Sequence, residues 1–422
     1  MRQDFTASLT ESDPEIAEAI AGELHRQQDQ IELIASENLV SRAVLEAHGS
    51  VLTNKTVEGL PGKRYYGGAE FADKIETLAI ERAKRLFGCG FANVQPHSGS
   101  QANLAVYLAL LKPGDAILSM RTTAGGHLSH GHPANASAKT YTIHSYGVSA
   151  KDERIDYGKV AALARQHKPK LLIAGGSAYP RQIDFAVLRQ IADEAGANFM
   201  VDIAHFAGLV TTGLHPHPFP HAHVVTTTTY KSLRGARGGI VLTDDAALAK
   251  KIDSAVFPGV QGSVLLHLVA GKAVCLREAL KPSFAAYQRA ALENAQALAQ
   301  SVAAQGLRLV SGGTDTTLML VDLGAKGIGG QRASESLEAA GLTVNKNVIP
   351  NDTRPATDPS GLRLSSNAGT ARGFGEAEFR QIGQWIGRVL DGLARQANDN
   401  AATERTVRAD VARLCRKFPI YQ

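Results

Sequence analysis

Cysteine is scarce in this chain, and its placement excludes two classes of protein. Cys89, Cys275 and Cys415 are odd in number, far apart and without metal-ligand spacing. Neither a disulfide framework nor a zinc site is expected from them. Long apolar runs are missing too: no stretch reaches the ~18 residues that a membrane helix needs. The N-terminus, MRQDFTASLTESDPEIAEAI, has neither the basic start nor the apolar centre of a secretory signal. A cytoplasmic location with no membrane partner is the resulting expectation. Internal repeats and low-complexity tracts are absent, and so is a basic tail. The net charge of +5 is spread over many predicted helices. It argues weakly for an anionic ligand and hardly at all for nucleic acid.

What is present is apolar material for a large core: 44% of 422 residues are hydrophobic, a length that suggests two or three domains. Residues 14–29 read as a helix, capped by Asp13 with Pro14 at its first position. A glycine-rich, loop-like stretch follows, NKTVEGLPGKRYYGGAE (54–70). Short apolar strands are then predicted at AILSM (116–120), TYTIHSY (140–146), KLLIAGG (170–176), NFMVDIAH (198–205), VVTTTT (224–229) and GIVLTD (239–244). Helical patterns at 101–112, 157–166 and 185–195 lie between them. This alternation predicts an α/β fold with a largely parallel sheet. After about residue 285 the pattern changes to a long helix (286–305), strands at 307–311 and 317–322, and helices at 330–340, 375–394 and 402–416. The polar QANDNAATE (396–404) reads as a surface loop. The expected division is an N-terminal arm (1–53), a large domain (54–285) and a smaller α+β domain (286–422).

Four constellations carry chemistry. QPHSGSQAN (95–103) opens an apolar helical run, where exposed N–H groups and the helix dipole favour a phosphate; it also reads as an ordinary N-cap turn. Asp202 in MVDIAHFAG ends an apolar strand, where ligands bind open α/β sheets. It can hold a protonated pyridine nitrogen, with His205 three residues on, or the two can form a structural pair. VVTTTTYKSLRGARGG (224–239) sets Lys231 after a β-branched strand, with glycines behind it and Arg234 and Arg237 as nearby cations. That setting suits a Schiff-base lysine whose pKa is lowered by burial and cations; a solvated basic face is the plainer alternative. Arg363 in PSGLRLSS can grip an α-carboxylate with two parallel hydrogen bonds, although most arginines are surface residues.

The order of these parts, together with IELIASEN (31–38), GKRYYGGAE (62–70), GGHLSHG (125–131), GGSAYP (175–180), TVNKN (343–347) and RKFPIY (416–421), resembles the serine hydroxymethyltransferases along nearly the whole chain. These are pyridoxal 5′-phosphate (PLP) enzymes of fold type I. The resemblance implies a homodimer or homotetramer with shared active sites. It makes Lys231 the covalent link to PLP, Asp202 the partner of the pyridine nitrogen and His127 the residue stacked on the ring. Ser177 and His205 approach the ring hydroxyl. Ser98 and Gly99 bind the phosphate, with Gly262 of a neighbouring chain nearby. Ser36 and Arg363 hold the substrate carboxylate, and Tyr65 and Tyr66 face the reacting centre. Glu58 handles the proton of the substrate hydroxyl, and Glu58, Leu128 and Asn347 lie near tetrahydrofolate, the co-substrate.

The chain also departs from the family's usual pattern. Thr56 and Leu60 stand where tyrosines are usual, and Tyr230 stands where histidine precedes the lysine. QGSVLLH (261–267) replaces the common QGGPLMH, and LSSNAGTARG (364–373) replaces VGTPALTTRG. RPATDPSG (354–361) lacks a phenylalanine expected near the folate. Threonine at 56 frees a ring's worth of volume, enough for a methyl group on the substrate's Cα. The expected activity is therefore a 2-methylserine hydroxymethyltransferase. Ordinary serine hydroxymethyltransferase, a folate-independent α-methylserine aldolase and a threonine-type aldolase are the other catalytic readings. A non-catalytic PLP-fold protein would lack part of the set Lys231, Asp202, Arg363 and Glu58.

Overall fold

The computed structural model describes residues 5–395 and 399–422. Its centre is a seven-stranded sheet: β1 (Phe91–Asn93), β2 (Ala116–Met120), β3 (Thr142–Tyr146), β4 (Leu171–Ala174), β5 (Asn198–Asp202), β6 (Val224–Thr228) and β7 (Gly239–Thr243). The spatial order is β1-β7-β6-β5-β4-β2-β3. Pairings from β3 through β2, β4 and β5 to β6 are parallel, and only β7 runs against its two neighbours. Strands β4, β6 and β7 are buried at every position. This explains their continuous apolar or β-branched sequence, since helices cover both faces of such a sheet.

A second, four-stranded antiparallel sheet holds β8 (Arg308–Leu309), β9 (Leu318–Asp322), β10 (Asn345–Asn347) and β11 (Gly361–Ser365), in the order β8-β9-β11-β10. Its core is separate from that of the large sheet. The helix Glu376–Arg395 buries Phe379, Ile382, Ile386, Val389, Leu390 and Leu393 in it, at three- and four-residue spacing. Each such side chain contributes ~1.5–3 kcal/mol. Ile31 and Leu33 belong to this core as well, because Ile31 and Glu32 pair with Leu342 and Thr343.

The predicted helix at 14–29 forms with its cap, Asp13 Oδ1 accepting from the Ile16 amide at 3.1 Å. Four expectations need correction. TYTIHSY begins inside a helix, Ala136–Thr140, because Asn135 caps that turn by accepting from the Ser137 amide. The strand expected at 307–311 stops at Leu309, where Ser311 turns into positive φ and is held by Arg181 and Glu153. The stretch 54–70 is not all loop: Gly59–Leu60 and Lys63–Arg64 pair as a small hairpin. Of the loop expected at 396–404, residues 396–398 lie outside the described part. The remainder already begins the helix Ala401–Lys417, whose apolar positions Val407, Val411 and Cys415 all lie beyond that stretch.

Candidate active site

The cavity at the carboxyl ends of the parallel strands collects residues from distant parts of the sequence, as open α/β sheets do. It is lined by Ser98, Gly99, Ser100, His127, Gly176, Ser177, Asp202, Ala204, His205, Thr228, Tyr230 and Lys231. Eight residues singled out from sequence, Tyr230 among them, therefore meet in one place.

Asp202 closes β5 and is buried. Its Oδ1 accepts from the Ala204 amide at 3.0 Å. Its Oδ2 lies 2.9 Å from His130 Nε2 and accepts from Asn103 Nδ2 at 3.0 Å. A carboxylate only accepts, so His130 Nε2 carries the hydrogen of that contact. Asn103 is itself fixed by Thr226, whose hydroxyl donates to Asn103 Oδ1 at 2.7 Å. Burial alone would raise the Asp202 pKa, but the His130 and Asn103 hydrogen bonds and nearby imidazoles hold it well below the usual carboxylate range. A fixed carboxylate of this kind suits a cationic ring nitrogen.

Lys231 follows β6 and is buried. Burial lowers its pKa to about 8; Asp202 opposes the shift, and Arg363 and Arg237 add to it. Arg234, expected from sequence to act on this lysine, instead stacks on the Tyr287 ring at 4.2 Å; Arg363 takes its place. Tyr230 packs its ring between two cationic groups, 5.2 Å from Lys231 Nζ and 4.4 Å from the Arg237 guanidinium. His127 is pushed down to about 4 by burial and by His130, so it is neutral near pH 7. Burial likewise drives His205 well below its ordinary value.

Arg363 arrives from the other sheet. It stands in the middle of β11, and its Nη1 donates to the Ser177 carbonyl at 2.7 Å while Nε donates to Asn345 Oδ1 at 3.1 Å. Burial lowers its pKa to about 10. No carboxylate pairs with it among the described residues, so its charge is half-buried without a counter-ion, and a ligand carboxylate would supply one. The segment bearing Ser36 sits between the two sheets: the Ser365 amide donates to the Leu33 carbonyl, and Asn38 Nδ2 donates to the Lys231 carbonyl at 2.8 Å.

The remaining predicted residues are not in this cavity. Glu58, Tyr65 and Tyr66 lie on or beside the hairpin, with Thr56 just before it. Tyr65 and Tyr66 are 72% and 50% exposed, and Tyr65 meets Phe257 edge-on. Gly262 neighbours this group, since a Cβ built on it would lie 3.9 Å from Glu58 Oε1. Leu128 is exposed on the short turn after His127, and Asn347 stands on β10. Sequence reasoning missed His130, Asn103 and Asn38. Each lay inside a quoted motif, His130 in GGHLSHG, Asn103 at the end of QPHSGSQAN and Asn38 at the end of IELIASEN, but none was given a role.

The residues fit PLP. Gly99 starts a twelve-residue helix capped by Ser98, and a Cβ at Gly99 would lie 2.7 Å from Thr228 Cγ2. Backbone N–H groups at such a helix start attract a phosphate. Two buried polar atoms of the lining, His205 Nδ1 and Thr228 Oγ1, have no hydrogen-bond partner. With the basic lysine and the fixed Asp202, every chemical feature of the cofactor has a counterpart. The serine hydroxymethyltransferase family model matches residues 9–386.

This chain belongs to the serine hydroxymethyltransferase family.

Individual family members are similar over almost their full length. The serine hydroxymethyltransferase of Paramagnetospirillum magneticum is 60% identical over 418 residues, covering 99% of this chain and 98% of its own. That of Rhodospirillum centenum is 61% identical over 417 residues, covering 99% and 97%. Serine hydroxymethyltransferase 2 of Rhodospirillum rubrum is 60% identical over 417 residues, with the same coverage. Serine hydroxymethyltransferases are PLP enzymes of fold type I that use tetrahydrofolate as co-substrate. The seven-stranded sheet matches that fold, and the chain is a PLP-dependent hydroxymethyltransferase.

Proposed function

We propose that this hydroxymethyltransferase acts on 2-methylserine, removing its hydroxymethyl group to give alanine and passing it to tetrahydrofolate. One observation carries the reading: the departures from the family pattern at 263–264 bond to the backbone of Val57, the residue next to the departure at 56. Ser263 Oγ accepts from the Val57 amide at 2.9 Å and donates to the Val57 carbonyl at 3.2 Å. The Val264 amide donates to the same carbonyl at 2.7 Å. Glycine and proline, usual at these places, have neither that hydroxyl nor that N–H. The segment Thr56–Val57–Glu58 is therefore clasped in a way the common sequence cannot provide, with the small threonine at its head.

Thr56, Glu58, Tyr65 and Tyr66 lie outside their own chain's cavity, and the tyrosines are exposed. The reading accordingly includes a homodimer or homotetramer, with this face completing the cavity of a neighbouring copy. When bound, PLP supplies a ring that stores the electron pair released as the Cα–Cβ bond breaks. Ser98 and Gly99 would hold its phosphate, Asp202 its ring nitrogen, His205 and Ser177 its hydroxyl side, and neutral His127 its face. At a pKa of about 8, roughly a tenth of free Lys231 is an uncharged nucleophile at pH 7. Arg363 and Ser36 would hold the substrate carboxylate and so fix the orientation of the bond to be broken. Glu58 accepts the proton of the β-hydroxyl as the one-carbon unit leaves, with Leu128 and Asn347 toward the folate. A methyl group at Cα removes the proton whose loss would open side reactions, so the retro-aldol route is the one left.

The names of the similar proteins favour a second reading, in which serine itself is the substrate. The missing phenylalanine in 354–361 favours a third, a folate-independent aldolase. One panel separates all three: L-serine and α-methyl-L-serine, each with and without tetrahydrofolate, with glycine, alanine and formaldehyde as readouts. Folate-dependent alanine from α-methylserine is expected. Turnover of serine alone would overturn the reading, and equal turnover of α-methylserine with free formaldehyde and no folate would favour the aldolase.

A further inference from the structure

A second buried lysine lies behind the cofactor cavity without lining it. Lys272, on the helix Leu266–Ala279, is 1% exposed. Its Nζ donates to three backbone carbonyls: Val94 at 2.7 Å, Pro96 at 2.8 Å and Gly239 at 3.1 Å. An ammonium has three N–H donors and no acceptor, so three carbonyls saturate it and leave nothing unpaired. Among the described residues no carboxylate bonds to it. Burial lowers its pKa to about 7, with Cys275 and Glu76 opposing. The acceptor-only shell nevertheless selects the charged form, since three carbonyls converging without a cation would repel one another.

The three carbonyls belong to two loops. Val94 and Pro96 lead from β1 into Ser98 and Gly99. Gly239 ends the loop that leaves β6 through Thr229, Tyr230 and Lys231. The Gly239 amide also donates to the Pro96 carbonyl at 2.9 Å, so the two loops already touch where the ammonium sits. Gly238 leaves room for the lysine to enter: a Cβ there would lie 2.1 Å from Lys272 Cε and 2.5 Å from Nζ.

We propose that Lys272 is a positioning residue for the cofactor, its ammonium acting as a built-in cation that fixes the phosphate-binding loop to the lysine-bearing loop. It touches neither cofactor nor substrate, and it acts through the spacing of Ser98–Gly99 from Lys231. The inference rests on the assignment of those residues to PLP, and not on which amino acid is the substrate.

The test removes the cation and then returns one. Lys272→Ala leaves a cage of three carbonyls, and Lys272→Gln keeps two N–H donors in a milder replacement. Both are purified with PLP and compared with the parent, and Lys231→Ala reports separately on the covalent link. PLP affinity is expected to fall about tenfold or more in Lys272→Ala, in the range set by lost charge-assisted hydrogen bonds. Ammonium chloride should restore part of it, against tetramethylammonium chloride at equal ionic strength, and should leave the parent unchanged. The rise in Tm on adding PLP should shrink in both variants. A merely structural lysine would lower the Tm of cofactor-free and loaded protein in parallel, with that gap, PLP affinity and cation response as in the parent. Such a result in Lys272→Gln overturns the proposal even if Lys272→Ala does not fold. If Lys231→Ala kept its visible band, the cofactor assignment itself would fail instead.

Discussion

His130 Nε2 stands 2.9 Å from Asp202 Oδ2, and both residues are buried. The contact fixes the orientation of the carboxylate that we assign to the cofactor's ring nitrogen, and it gives Asp202 its largest downward pKa influence. His130→Ala should therefore raise the Asp202 pKa and leave one carboxylate oxygen short of a donor. Such a loss costs ~1–3 kcal/mol, or roughly 5- to 150-fold. The expected outcome is a fall of that size in kcat/KM together with weaker PLP binding. An unchanged PLP titration would count against the role.

Arg363 tests the carboxylate grip. Arg363→Lys keeps the charge and loses the planar fork that binds two oxygens at once. KM for the amino acid should rise at least about tenfold, a loss of ~1.4 kcal/mol, while the visible band of bound PLP stays in place. Steady-state kinetics beside an absorbance spectrum decide it. Loss of the band would show instead that Arg363 holds the cofactor.

Lys231 gives a pH dependence whose sign can be worked out. Its folded pKa is about 8, below the ordinary 10.5. Between these values the unfolded chain binds more protons than the folded one, so the stability of cofactor-free protein rises with pH through that window. The full effect is roughly 3 kcal/mol. Cofactor-free Lys231→Met lacks the group. It should be more stable than the parent at pH 7.5, with the difference closing toward pH 10. Urea unfolding of both proteins across that range is the measurement, and parallel curves would rule the effect out.

The clasp around Val57 predicts how specificity moves. Thr56→Tyr should lower activity on α-methylserine more than on serine. Adding Ser263→Gly and Val264→Pro removes all three hydrogen bonds to Val57 and should shift the ratio further toward serine. Competition between the two substrates reads the ratio directly. Equal losses on both would defeat the steric argument.

The sequence made the strands of the large sheet legible because buried parallel strands are uniformly apolar or β-branched and end in chemistry. Asp202, Lys231 and Ser177 each follow such a run. β1 was missed: Phe91 is exposed and only three residues pair. β11 was missed because its few residues lie between a proline-rich loop and a polar helix start, although Arg363 within it was singled out. The roles of His130, Asn103 and Asn38 were not legible for another reason. Their partners are 72, 99 and 193 residues away, so no local pattern records the contact. The misplacement of Arg234 has the same origin, since adjacency in sequence to Lys231 did not put its charge beside the amine.

The separation between the cavity and the hairpin face bears on how such a protein changes over generations. Of the groups assigned to PLP, Asp202, His205 and Lys231 are buried, and Asp202 is held by Ala204, His130 and Asn103, so replacement there is costly. Thr56, Tyr65 and Tyr66 are exposed on their own chain beside the hairpin, so a new side chain there disturbs little of that chain's own fold. On the 2-methylserine reading, replacements at these three positions would retune substrate range without touching the buried Lys231 and Asp202.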